Sequence, residues 1–123
     1  MKTIHTKHAP AAIGPYSQAV QANGFIFLSG QIGIVPEKGT LISSDLKEQT
    51  EQVCRNIEAV LKKAELSMEN VIKTTCFLTD MDNFSLFNEI YAQHFISKPA
   101  RSCVAVTALP AGALCEIEVI AVK

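Results

Sequence analysis

Leu114-Cys115-Glu116-Ile117-Glu118-Val119-Ile120-Ala121-Val122 is the stretch on which the fold turns. Side chains alternate across a β-strand. Cys115, Ile117, Val119 and Ala121 therefore share one face, and Glu116, Glu118, Ile120 and Val122 share the other. The first face is wholly apolar, and the second becomes apolar beyond Glu118. Such a strand sits inside a sheet that needs covering on both sides. The rest of the chain has two helical segments, enough for one side. The other side has no element left to cover it, so self-association is expected, with the glutamates near the edge of the subunit contact.

Working back from this strand, Ser102–Leu109 reads as its predecessor, joined to it by a turn around Pro110-Ala111-Gly112. Phe84, Phe87, Ile90, Tyr91 and Phe95 recur at helical spacing, so a helix capped by Asp82 is expected, with Pro99 closing the loop behind it. Val71–Thr79 is rich in β-branched residues and reads as a strand. Asp45, with Glu48 three residues on, opens a longer helix that ends before Ser67. Its apolar stripe is Leu46, Val53, Ile57, Val60, Leu61 and Ala64. Lys47, Glu48, Glu51, Arg55, Glu58 and Lys62 form its wet side. Asn23-Gly24 between Gln18–Ala22 and Phe25–Ser29 is a hairpin signal, because both turn residues must take positive φ. Pro36–Thr40 reads as a loop. The predicted order is ββ(β)αβαββ, one α+β domain over residues 1–123, a mixed sheet with both helices on one face.

Composition narrows the function. The 123 residues are 48% hydrophobic and 19% charged, the balance of a globular domain. Lys and Arg number 11 against 12 Asp and Glu, a net charge of −1. The basic stripe that displaces counterions from nucleic acid is missing, and Lys62-Lys63 reads as a complement to a helix dipole. The N-terminal MKTIHTKHAP has no signal-peptide core, and no apolar run is long enough to span a bilayer, so a cytoplasmic location is expected. Cys54, Cys76, Cys103 and Cys115 form no C-x-x-C pair, and His5, His8 and His94 fit no metal-binding pattern. Metal catalysis is therefore not expected.

Arg101 stands just before a strand, where a rigid scaffold can hold its planar fork toward a cleft; bidentate carboxylate binding suits that geometry. On residue physics alone, a surface arginine or a structural ion pair is the favoured explanation. Glu116, with apolar neighbours, has the setting for a raised pKa and proton exchange near neutral pH. The plainer reading pairs Glu116 and Glu118 with lysines across the sheet. Cys103 lacks a visible His partner and reads as a buried thiol rather than a nucleophile. Gly14-Pro15-Tyr16-Ser17 is a turn presenting a phenol. Gly30-Gln31-Ile32-Gly33 lacks the lysine and spacing of a phosphate loop.

Taken together, APAAIGPYSQA at 9–19, LSGQI at 28–32, VIKTTCFLTDMDNF at 71–84, FNEIY at 87–91, PARSCVAV at 99–106 and CEIEVIAV at 115–122 resemble the RidA (YjgF-like) family, also called L-PSP endoribonucleases or translation inhibitors. The resemblance runs from end to end. It implies a chorismate-mutase-like subunit in a homotrimer with three intersubunit clefts. It further implies hydrolysis of 2-imino acids, such as 2-iminobutanoate and 2-iminopropanoate, to 2-oxo acids and ammonia without a cofactor. These imines and enamines are released by pyridoxal-phosphate-dependent dehydratases. By the same resemblance Arg101 binds the substrate carboxylate and Glu116 is the acid–base group. Tyr16, Ser29, Gly30, Asn88 and Cys103 would line the cleft. Two departures are visible: only Ile96, Ser97 and Lys98 separate Phe95 from Pro99, and positions 105 and 108 are alanine. The alternatives are a ribonuclease or translation inhibitor, which lacks its basic patch and histidine pair, and a non-catalytic ligand sensor or chaperone.

Overall fold

The computed structural model describes residues 1–123. Eight strands form: β1 Lys2–Ile4, β2 Ala19–Ala22, β3 Phe25–Gln31, β4 Ile34–Val35, β5 Thr40–Leu41, β6 Val71–Leu78, β7 Ala100–Ala105 and β8 Cys115–Val122. The two helices are α1 Leu46–Lys63 and α2 Phe84–His94. Six strands make one sheet in the order β1-β2-β3-β8-β6-β7, and β4 and β5 pair apart from it. Only β6 and β7 run parallel; every other neighbouring pair is antiparallel. No helix is long and apolar enough to cross a membrane.

The α+β mixed sheet with helices on one face is as expected, and β8 lies inside it. Cys115, Ile117, Val119 and Ala121 are buried toward the helices, whereas Glu116, Ile120 and Val122 are half-buried and Glu118 is exposed. The hairpin turn is also as read: Asn23 and Gly24 take φ of 51° and 80°. Asp45 caps α1 through a 3.0 Å bond accepted from the Glu48 N–H. At its far end Glu65 turns left-handed, and the Leu66 N–H donates to the Leu61 carbonyl at 2.8 Å, which ends the helix before Ser67.

Four features depart from the sequence reading. Asp80, not Asp82, is the cap: its side chain accepts from the Asp82 N–H at 2.9 Å and starts a short 3₁₀ turn, Met81–Asn83, from which α2 continues. Strand β7 starts two residues earlier than Ser102 and stops at Ala105, and its ladder partner is β6, in parallel. The stretch after it makes no ladder. The short strand β1 has no counterpart in the sequence reading, and where the order left room for one further strand before α1 the chain forms the β4–β5 pair, with Thr40 in β5 rather than in a loop. Finally, α1 buries polar residues among its apolar ones, each with a partner. Gln49 accepts from the Leu114 N–H at 2.8 Å, and Asn56 donates to the carbonyls of Ile32 and Ile34 at 3.2 and 2.9 Å. These amides fasten the chain around β4 and the start of β8 to the helix, so burial leaves no group unpaired.

Candidate active site

Strand β7 places Arg101 opposite Thr74 and Cys103 opposite Cys76 of β6. Thr74 and Cys76 point into the core beneath the helices, so Arg101 and Cys103 lie on the helix-bearing face. There α2 offers Phe84, Asn88 and Tyr91, which fall on one side of a helix at i, i+4 and i+7. The Arg101 guanidinium lies 4.7 Å from the Tyr91 ring centroid and 5.5 Å from that of Phe84. Its Nη1 donates to Asn88 Oδ1 at 2.7 Å. The Tyr91 ring is itself fixed, stacked on Phe95 at 4.3 Å and hydrogen-bonded through its hydroxyl to Thr74 Oγ1 at 2.7 Å.

Arg101 makes no ion pair in the chain, and Asn88 is its only side-chain hydrogen-bond partner. The ion-pair reading of this residue therefore finds no partner within the subunit. Its remaining N–H groups border a cavity of about 630 Å³ lined by Asn88, Tyr91, Phe95, Ile96, Lys98 and Arg101, among others. Cys103 is half-buried; burial pushes its thiol up, and the Arg101 charge offsets this only in part. A thiol held protonated is a poor nucleophile, which fits a lining role.

Glu116 stands elsewhere. It pairs with Phe77, while its neighbour Ile117 pairs with Cys76 and points into the core. Glu116 is thus on the face of the sheet away from the helices, opposite to Arg101. Its carboxyl lies over Gly30: a Cβ built there would stand 2.8 Å from Glu116 Cδ. Burial raises the Glu116 pKa, and the Glu118 charge two residues on raises it further. Neither glutamate forms an ion pair in the chain, so the lysine pairing considered for them is absent. Beside Gly30, Ser29 Oγ donates to the Ser17 carbonyl at 2.6 Å, which brings the turn carrying Tyr16 to this loop. The buried Gln18 secures the segment before that turn by donating to the Thr6, Ala9 and Pro10 carbonyls. Tyr16 is 53% exposed.

The expected residues therefore fall into two groups on opposite faces of the sheet. One holds Arg101, Asn88 and Cys103; the other holds Glu116, Gly30 and Ser29, with Tyr16 adjoining. Around the second, the open face carries Phe25, Phe27, Phe77, Val104, Ile120 and Val122, with Phe27 42% and Val104 45% exposed. Sequence reasoning assigned Phe84 and Tyr91 to the helix core alone. The available signal was an asparagine set between two aromatics at helical spacing, facing an arginine across the following strand. No three His, Cys, Asp or Glu side chains converge where they could hold a metal ion.

Residues 6–123 match the model of the family described as Endoribonuclease L-PSP. The chain belongs to this family. Its relatives carry the names RutC and RidA. A RutC family protein of Pyrococcus horikoshii is 50% identical over 123 residues, covering 99% of this chain and 98% of the relative. A mouse protein named 2-iminobutanoate/2-iminopropanoate deaminase is 48% identical over 123 residues, covering 99% of this chain and 91% of its own. Among solved structures, Escherichia coli TdcF with bound serine superposes with a TM-score of 0.95 at 41% identity, over 100% of this chain and 99% of its own. The RidA fold inferred from sequence is thus the fold of this chain.

Proposed function

We propose that the protein hydrolyses small 2-imino acids to 2-oxo acids and ammonia, in clefts completed by a neighbouring copy of the same chain. The observation that carries this reading is the Arg101 fork. It is stacked on Tyr91, tied to Asn88 and left without a carboxylate partner. A planar imino acid supplies that carboxylate, and bidentate gripping orients its C=N carbon. Water adds to this carbon, and collapse of the adduct expels ammonia. The group suited to take and return the protons is Glu116, whose raised pKa brings it toward the working pH. Arg101 and Glu116 lie on opposite faces of one sheet, so a single chain cannot present both to one substrate. A second subunit that packs its own open apolar face against the β7 edge of the first brings its Glu116 toward the first subunit's Arg101. A closed homotrimer, with three such clefts, satisfies every subunit in the same way.

Names among the relatives support the chemistry: the mouse protein is named for this deaminase activity, and serine bound to TdcF carries a carboxylate beside a nitrogen-bearing carbon. The ribonuclease alternative finds less support. No histidine lines the Arg101 cavity, and His94 is occupied with Glu51 at 2.7 Å. The test couples threonine dehydratase to this protein and follows loss of 2-iminobutanoate. Faster loss with the protein than without it is expected; equal rates refute the deaminase reading. Light scattering that gives a monomer mass at micromolar concentration refutes the shared cleft. Fast turnover by Glu116→Gln would leave Arg101 as a binding group without an acid–base partner.

A further inference from the structure

The loop that borders the Arg101 cavity is short and tightly built. Ser97 Oγ donates to the Val71 carbonyl at 2.7 Å, and the Lys98 N–H donates to the Phe95 carbonyl at 3.2 Å. Lys98 takes a φ of 51°, in the left-handed region that a lysine rarely occupies. Pro99 follows and restricts the backbone further. Backbone strain of this kind persists where the surroundings over-determine it, and it collects at ligand sites. Here its effect is to set Lys98 on the wall of the cavity that Arg101 also borders.

The lining of this cavity contains two cations and no carboxylate, and neither cation has an ion pair in the chain. Two like charges around one cavity repel each other, and an anion with charge at both ends relieves both. The remaining walls include Ala92, Phe95 and Ile96, which suit a short methylene spacer. A monocarboxylate uses Arg101 and leaves Lys98 unmatched.

We infer that Lys98 forms a second anion subsite, so that the cavity prefers 2-imino and 2-oxo acids bearing a second carboxylate. This rests on the carboxylate-binding reading of Arg101 and adds a substrate class to it. The preference falls with ionic strength, because Lys98 is exposed.

The test is calorimetric titration of the intact protein with 2-oxoglutarate and with 5-methyl-2-oxohexanoate, its near-isostere with an uncharged isopropyl end. At low salt the dianion is expected to bind about tenfold more tightly, the worth of one charge-assisted hydrogen bond. Lys98→Asn keeps a residue that tolerates left-handed φ, and it should bring the affinity ratio close to one. Lys98→Arg should retain the ratio. Equal affinities in the unmodified protein overturn the subsite and leave the Arg101 reading standing. A ratio undiminished in Lys98→Asn overturns it as well. Binding of neither acid, or binding of the monocarboxylate that survives Arg101→Ala, brings down the carboxylate reading and the subsite together.

Discussion

Replacing Gly30 by alanine separates the placing of Glu116 from the stability of the fold. The new methyl carbon would stand 2.8 Å from Glu116 Cδ and 3.1 Å from its Cγ and Oε1. Carbon pairs settle at about 3.5–4.0 Å, so the carboxyl must retreat by about 0.7 Å or more. It is the end of a flexible side chain, and an off-rotamer shift costs about 0.5–1.5 kcal/mol. The fold therefore survives. Catalysis does not tolerate the same displacement, since misplacing a reacting group by about 1 Å can cost on the order of 10²-fold in rate. Gly30→Ala should lower kcat for 2-iminobutanoate by about that factor. Its thermal transition and its affinity for 2-oxobutanoate, held by Arg101, should change little. Gly33→Ala is the matched contrast. Its Cβ would meet Gln49 Cα and carbonyl oxygen at 2.9 Å, and helix backbone cannot swing aside. That variant should lose about 1–3 kcal/mol of stability, with turnover per folded molecule retained. Wild-type turnover in a folded Gly30→Ala protein would refute the reasoning, because the Glu116 carboxyl could then not be reacting where it lies.

Arg101→Ala should abolish turnover and Arg101→Lys should restore little of it, as lysine has no planar fork to lie on Tyr91 and reach Asn88; a fully active lysine variant, measured in the coupled assay, speaks against bidentate binding. Glu116→Gln should reduce kcat by about 10²–10⁴-fold while Glu118→Gln leaves turnover per folded molecule nearly intact, and exchanged phenotypes would reassign the acid–base group. The raised Glu116 pKa means that the folded chain holds this proton more tightly than the unfolded one. Its stabilising contribution is therefore full below the unfolded carboxylate pKa and lost as pH rises through the folded value. Glu116→Gln should accordingly melt higher than the parent at neutral pH, an advantage that vanishes in acid; a lower melting temperature at neutral pH would contradict the buried charge. Cys103→Ser should keep substantial activity because that thiol is held protonated, and a substrate adduct on Cys103 seen by mass spectrometry during turnover would overturn water as the nucleophile.

Periodicity made the central elements legible. The β8 alternation, the α1 and α2 stripes and the Asn23-Gly24 turn each appear at the position that spacing assigns them. What failed was chemistry set by tertiary partners. Asp80 and Asp82 are equally good caps by residue type, and the extra 3₁₀ turn alone decides between them. Gln49 and Asn56 interrupt the apolar stripe of α1 and are buried because loop carbonyls and N–H groups wait for them. The parallel pairing of β7 with β6 depends on α2 as a crossover, which no local pattern encodes. At the site, the resemblance selected residues that composition and spacing left as surface charges. Phe84 and Tyr91 were visible only as core, since the same ring that fills the interior also carries the guanidinium on its outer face.

The placement of Arg101 and Glu116 on opposite faces has a genetic consequence. On the proposed assembly, each cleft draws its arginine from one gene copy's product and its glutamate from another's. Two inactive alleles, Arg101→Ala and Glu116→Gln, would then complement each other inside one oligomer. Random mixing in equal amounts leaves about a quarter of the clefts with both residues intact. Co-expressing or co-refolding two dead proteins should thus recover about that fraction of activity, whereas mixing them without subunit exchange should recover none. A cleft contained in one chain would show no rescue under either condition.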